Sequence, residues 1–441
     1  MLDDSLPIRT ESMTARQRWT ILVASTGGAL EVFDFVIFGF FARTIGMEFF
    51  PSRTGMSAET LSFTVLAIGY LSRPVGGIFL GRLGDTHGRR LVFVSSAMIA
   101  SVSTLLIGIL PSYAVWGASA PALLLLLRLI QGLCLGGELP GAVIYAVETV
   151  RGRSGVLCGI VFVAVNLALL LATSINLAVQ WAFTPEQVSA FGWRIGFLLG
   201  GMVGLLSFAL RRTLAETDEY ARAIGARHRE PLAVLLRNHF ARLMTAAAAC
   251  LLVGASGGIF IGFTPSYLQG LQYDAQQIAS AQTWYLIVVA VCILVTSYAG
   301  DLLPRRYVFR SGAVLSALFA PFFFIAAARH YASLSVLFLM AGVVASLANG
   351  TFACAIAEMF PVDVRFSGVA TAMNLGLATS LGMTPLAANI LVSSLHWTPA
   401  PALIIVLCSA LAFAASFGMK RERERADVVD ANRNSRWQER R

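Results

Sequence analysis

The chain has 441 residues, of which 57% are hydrophobic and 13% charged, with a formal net charge of +9. A soluble domain carries roughly a quarter charged residues, so a water-soluble fold is excluded, and continuous apolar runs rather than alternation exclude a transmembrane β-barrel. The basic excess does not point to nucleic acid, because the arginines gather in alternate loops and both tails, as the positive-inside rule requires of a polytopic membrane protein.

The first eighteen residues are polar, carry Asp3, Asp4 and Glu11, and lack a cleavable signal pattern, so the first helix is expected to serve as its own insertion signal. Apolar runs of bilayer-crossing length predict helices over 19–42, 58–80, 91–111, 120–146, 155–181 and 193–211. A second set follows over 240–268, 280–299, 310–328, 333–359, 367–393 and 399–419. The segments 82–90, 147–154, 212–238, 300–309 and 360–366 hold most of the arginines and read as cytoplasmic loops. Both termini are then cytoplasmic. The expected organisation is a six-helix bundle with its N-terminal tail over 1–211, and a linker over 212–238 whose part 214–227 reads as a short surface helix. A second bundle over 239–419 and a basic tail over 420–441 complete it.

Two pairs of segments recur at nearly one period. Gly81-Arg82-Leu83-Gly84-Asp85-Thr86-His87-Gly88-Arg89-Arg90 is echoed by Gly300-Asp301-Leu302-Leu303-Pro304-Arg305-Arg306, about 216 residues on. Glu148 with Arg151, Arg153 and Gly155 is echoed by Glu358 with Arg365 and Gly368, about 210 residues on. Repeated halves of this kind build transporters with a site between the halves. Asp85, Arg89 and Arg90 are expected to latch the cytoplasmic side, Asp85 by capping a neighbouring helix N-terminus. Asp301 with Arg305, and Glu148 and Glu358 with arginines such as Arg365, are expected as symmetry-related gate or scaffold pairs.

Ionisable groups inside apolar runs are costly and mark function or pairing. Glu31 and Asp34 lie one turn apart on the first helix. Asp34 is the candidate proton-coupling acid with Glu31 assisting; the other reading is an acid in a standing pair with an arginine. Arg128, Gln131 and Glu138 share one stripe of the fourth helix. Arg128 either grips a substrate carboxylate through its two-pronged guanidinium or pairs with Glu31 or Asp34. Glu138 is a further candidate for proton exchange. Gln131, Tyr145 and Asn374 are candidates for substrate hydrogen bonds, against a packing role. The six cysteines all lie in apolar runs with no CxxC pair, so neither a disulfide framework nor a metal site is expected. No GxxxxGK[ST] or HExxH occurs, which argues against an ATP-driven pump or a membrane enzyme.

The Gly81–Arg90 pattern, with Arg128-Leu129-Ile130-Gln131-Gly132, resembles the major facilitator superfamily. Ala29–Phe35 with Phe49-Phe50-Pro51, Arg73-Pro74-Val75-Gly76-Gly77, Gly136-Gly137-Glu138, Gly192-Trp193-Arg194 and Arg211–Thr217 are similar to its metabolite:proton symporter group. Thr86 departs from the pattern in the first loop, and Leu302 and Pro304 depart from it in the second, so weaker contacts are expected at the second loop. The drug-antiporter glycine motif is absent from 155–181, which tilts the reading to symport. The resemblance implies an all-α integral membrane protein of about twelve transmembrane helices in two pseudo-symmetric six-helix bundles. It implies proton-driven uptake of a small organic acid, a di- or tricarboxylate such as citrate, with export by proton exchange as the alternative. No enzyme activity, cofactor or metal is expected. The expected partners are the organic anion, protons and membrane lipid, with no nucleic acid, for a monomer in a bacterial-type inner membrane.

Overall fold

In the computed structural model, residues 13–50, 58–150, 153–216 and 231–419 are described. The basic tail, most of the predicted linker helix, Arg151 and the side chain of Glu31 lie outside the described residues. Among the described residues twelve longer helices order the chain, with short ones such as Ala42–Phe49 and Pro231–Asn238 between them. In the first half these are α1 (Ala15–Phe40), α2 (Ala58–His87), α3 (Arg89–Ile109), α4 (Ser119–Thr149), α5 (Ser154–Ala182) and α6 (Val188–Arg211). In the second they are α7 (Phe240–Gly270), α8 (Ala275–Leu302), α9 (Arg305–Ala328), α10 (Leu334–Ala357), α11 (Arg365–Leu395) and α12 (Ala402–Ser416). Ten of them are long and apolar enough to cross a membrane; α1, and the 15-residue apolar α12, complete the set.

Local chemistry fixes the ends. Thr14 and Gln17 close a capping box on α1, the Thr14 hydroxyl accepting from Gln17 N at 3.2 Å and Gln17 Oε1 accepting from Thr14 N at 2.9 Å. Asp274 caps α8 by accepting from Gln276 N and Gln277 N. The segments predicted as charged loops are largely helix ends: α2 runs through Asp85 to His87, and α8 through Asp301 to Leu302. Charge does not break a helix, and once past the bilayer these residues continue it. The turn between α2 and α3 is the single residue Gly88, whose φ of 117° favours glycine.

Within the first half α2 packs on α4, α1 on α5 and α3 on α6; in the second, α8 packs on α10 and α9 on α12. The halves meet along α2 with α11 and α8 with α5. These two seams are images of each other, since α2 corresponds to α8 and α5 to α11 six helices on. The α2–α4 crossing is a backbone contact. A Cβ at Gly136 would press on the Arg73 carbonyl and the Gly77 amide, and one at Gly76 would lie 2.6 Å from Leu133 Cα. Small residues there allow the close approach. Gly136→Val is therefore expected to cost about 3 kcal/mol, read as a lowered melting temperature in detergent.

Candidate functional site

Each seam is pinned at one end of the molecule, the end bearing the arginine-rich segments. At the α2–α11 seam the Asp85 carboxylate accepts from Phe366 N at 3.2 Å and Ser367 N at 2.8 Å, capping the start of α11. It also pairs with Arg89, which donates to Val362 O at 2.6 Å and lies 3.5 Å from Glu148. Arg365 reaches Glu148 at 3.2 Å. At the α5–α8 seam Asp301 accepts from Gly155 N at 2.8 Å and Val156 N at 2.9 Å, capping α5. Arg305 bonds Asp301 at 2.6 Å, Glu358 at 2.5 Å and Ser154 Oγ at 3.1 Å.

The second seam thus carries the same contacts as the first despite its eroded sequence, against the expectation of weaker ones. The departures fall outside the contacts: Leu302 is exposed, and Pro304 sits in the turn ahead of α9. Arg90 plays another part, donating to Arg212 O at 2.8 Å within the first bundle.

Two further ion pairs lie inside the first bundle. Arg128 donates to Asp34 Oδ2 at 2.7 Å, with its guanidinium 4.1 Å from the centre of the Phe38 ring. Arg211, at the end of α6, turns inward to Glu138 Oε2 at 2.5 Å, and Ser96 donates to Glu138 Oε1 at 2.5 Å. Gln131 lies between the pairs and donates to Thr104 Oγ1 at 2.7 Å.

Between the bundles lies a cavity of about 550 Å³, lined by α1, α2, α4 (through Leu139) and α5 on one side and α7, α8, α10 and α11 on the other. Its walls are mostly apolar side chains and glycines. Among the described lining residues the only charged one is Arg73, 3% exposed, with its guanidinium 4.4 Å from the centre of the Tyr70 ring. Asn166, Asn349 and Tyr285 are other polar groups in the wall.

None of the four predicted substrate ligands lines this cavity. Arg128 and Gln131 face the interior of the first bundle. Tyr145 lies toward the basic end, its hydroxyl donating to Ala215 O at 3.3 Å. Asn374 ties α11 to α4, donating to Gly136 O at 2.8 Å and to its own helix at Ala370 O. The stripe on α4 was legible, but it faces α1, α3 and α6 rather than the second half. Arg73 was missed although an arginine midway along an apolar helix is itself the signal.

The family model described as "Sugar (and other) transporter" matches residues 20–243, and that described as "Major Facilitator Superfamily" matches 246–439. The chain is 30% identical to a putative proline/betaine transporter of Staphylococcus aureus (strain COL) over 401 residues, 89% of this chain and 86% of that one. It is 30% identical to a citrate-proton symporter of Salmonella typhi over 416 residues, 90% and 93% of the two chains. Its fold is similar to that of the proton:xylose symporter XylE bound to 6-bromo-6-deoxy-D-glucose, with a TM-score of 0.68 at 17% identity over 91% of this chain and 95% of the other.

Proposed function

The chain belongs to the major facilitator superfamily, and from that premise we propose that it couples proton entry to uptake of a small carboxylate across the cytoplasmic membrane. The observation that carries this reading is the separation of charges. Arg73, the charged residue among the described lining residues, faces the cavity between the bundles, while the Asp34 carboxylate is sealed against Arg128 inside the first bundle. A fixed cation in an apolar cavity favours an anion, and the guanidinium holds a carboxylate with two parallel hydrogen bonds. Protonation of Asp34 frees Arg128, and deprotonation restores the pair, giving two states for alternating access. The pinned seams correspond to the state closed on the cytoplasmic side, with both termini on that side.

A di- or tricarboxylate such as citrate is the favoured substrate. A second reading is a zwitterion such as proline or betaine, supported by the relatives' names and by the Tyr285 and Phe162 rings in the cavity wall, since aromatic faces hold quaternary ammonium groups. Purified protein in liposomes with the outside made acidic is expected to accumulate citrate in preference to proline or glycine betaine; preference for the latter pair would transfer the assignment to the zwitterion. Arg73→Ala is expected to raise the KM about 10–100-fold, from the loss of a charged hydrogen-bonding pair. Arg73→Lys should recover only part of this, having lost the fork. Efflux driven by an inward proton gradient would instead identify an exporter.

A further inference from the structure

The first bundle encloses a second, small chamber of about 30 Å³ that shares no lining residue with the central cavity. It runs along the bundle, with Asp34, Thr104 and Gln131 in its wall together with Ser101, Glu138 and Arg211, and Gly200 and Gly204 making room for it. Gln131 and Glu138 stand seven residues apart on α4, roughly 10 Å along its axis. Four buried polar atoms of these residues have no protein partner: Asp34 Oδ1, Gln131 Oε1, and Nε and Nη2 of Arg211. Buried polar atoms of this kind are met by water, and each water needs roughly 10–15 Å³ and two to four polar partners. The chamber therefore has the volume and the partners for about two or three waters, which in file span roughly 8–11 Å at ordinary hydrogen-bond lengths.

We propose that this chamber is a proton relay: a file of waters passes the coupling proton from Asp34 to Glu138, so that the proton crosses inside the first bundle while the substrate crosses between the bundles. This rests on the proton-coupled reading above. The Asp34 carboxyl gives its proton to the first water and regains its charge opposite Arg128. The last water protonates the Glu138 carboxylate, weakening its pair with Arg211. Each water of the file takes a proton on one side and gives one up on the other, so the file is left with no net gain or loss. Arg211 closes α6 at the basic end, so the proton then leaves on that side. Around Glu138 stand Arg211 from α6 and Ser96 from α3, with Cys134 one turn away on its own helix; Arg73 of α2 turns to the central cavity.

The test uses the full chain in liposomes with a trapped pH-sensitive dye, and citrate, proline and glycine betaine as probes. The readout is the ratio of pH-driven uptake to substrate exchange at equal pH, which moves no net proton. Glu138→Gln is expected to lower that ratio at least tenfold. Ser101→Val, which leaves both ion pairs in place and pushes methyl groups toward the chamber, is expected to lower it several-fold and decides the matter where Glu138→Gln fails to fold. If both variants keep the parental ratio while Asp34→Asn loses it, the relay is overturned and the Asp34 reading stands. If Asp34→Asn also keeps the ratio, both fall. Infrared pH titration of the purified protein needs no substrate: the parent is expected to show a protonatable carboxyl that Glu138→Gln removes, and an unaltered spectrum overturns the relay.

Discussion

Replacing Asp85 by asparagine is expected to open the basic end of the molecule and to raise the labelling rate of Cys158 and Cys354 by a small maleimide about 100-fold or more. Both thiols are buried, Cys158 in α5 of the first half and Cys354 in α10 of the second. Asp85 joins the bundles by two buried amide hydrogen bonds, from Phe366 and Ser367, and also holds in a buried ion pair Arg89, which donates across the seam to Val362 O. Removing one partner of a buried ion pair costs about 3–5 kcal/mol, because the remaining charge stays desolvated. Arg89 would be that charge. Spent on a two-state equilibrium, this shifts the closed-to-open ratio by roughly 10²–10³. Asp301→Asn is expected to act to a similar extent, since Asp301 makes the matching contacts on α5. His87→Ala should leave the rate alone, because that side chain is exposed and bonds only its neighbour Thr86. Unchanged labelling in both aspartate variants would remove the latch from the mechanism.

Twelve helices and the duplicated charged segments were legible in the sequence because both are local signals: run length reports the bilayer, and charge reports the helix ends. The pairing of Asp34 with Arg128 was legible as one of two readings. Partner choice was not legible. Gln131, Tyr145 and Asn374 are polar points whose roles depend on which neighbour each helix face meets. That depends on prolines within the helices, at Pro74, Pro140 and Pro385, and on π-helical turns at Gly258–Phe263 and Asn374–Ala378. Such features rotate one helix end against the other, so a wheel drawn at constant pitch misplaces residues beyond them. Arg211 shows the same limit. Read as the last residue of the predicted helix 193–211, beside the cytoplasmic linker, it points back into the bundle to Glu138 on α4, a partner that its place in the sequence does not disclose.

Neutralising Asp34 is expected to abolish pH-driven accumulation, a loss of about 100-fold or more. Asparagine keeps the shape of the side chain but can neither take up the proton nor hold Arg128 as a charge. The buried Arg128 would also be left facing a neutral amide, so Asp34→Asn alone confounds lost coupling with lost stability. The double variant Asp34→Asn with Arg128→Gln separates the two. Replacing both members of a buried pair by neutral groups removes the uncompensated charge, and such replacements are often neutral or stabilising. The double variant is therefore expected to melt at or above the parental temperature and still fail to accumulate substrate against a pH gradient. A standing structural pair predicts the opposite: once the double variant folds, accumulation returns. Recovery of gradient-driven uptake in that protein would place the coupling acid elsewhere, with the Glu138–Arg211 pair, which faces the same chamber, as the next candidate to carry the proton.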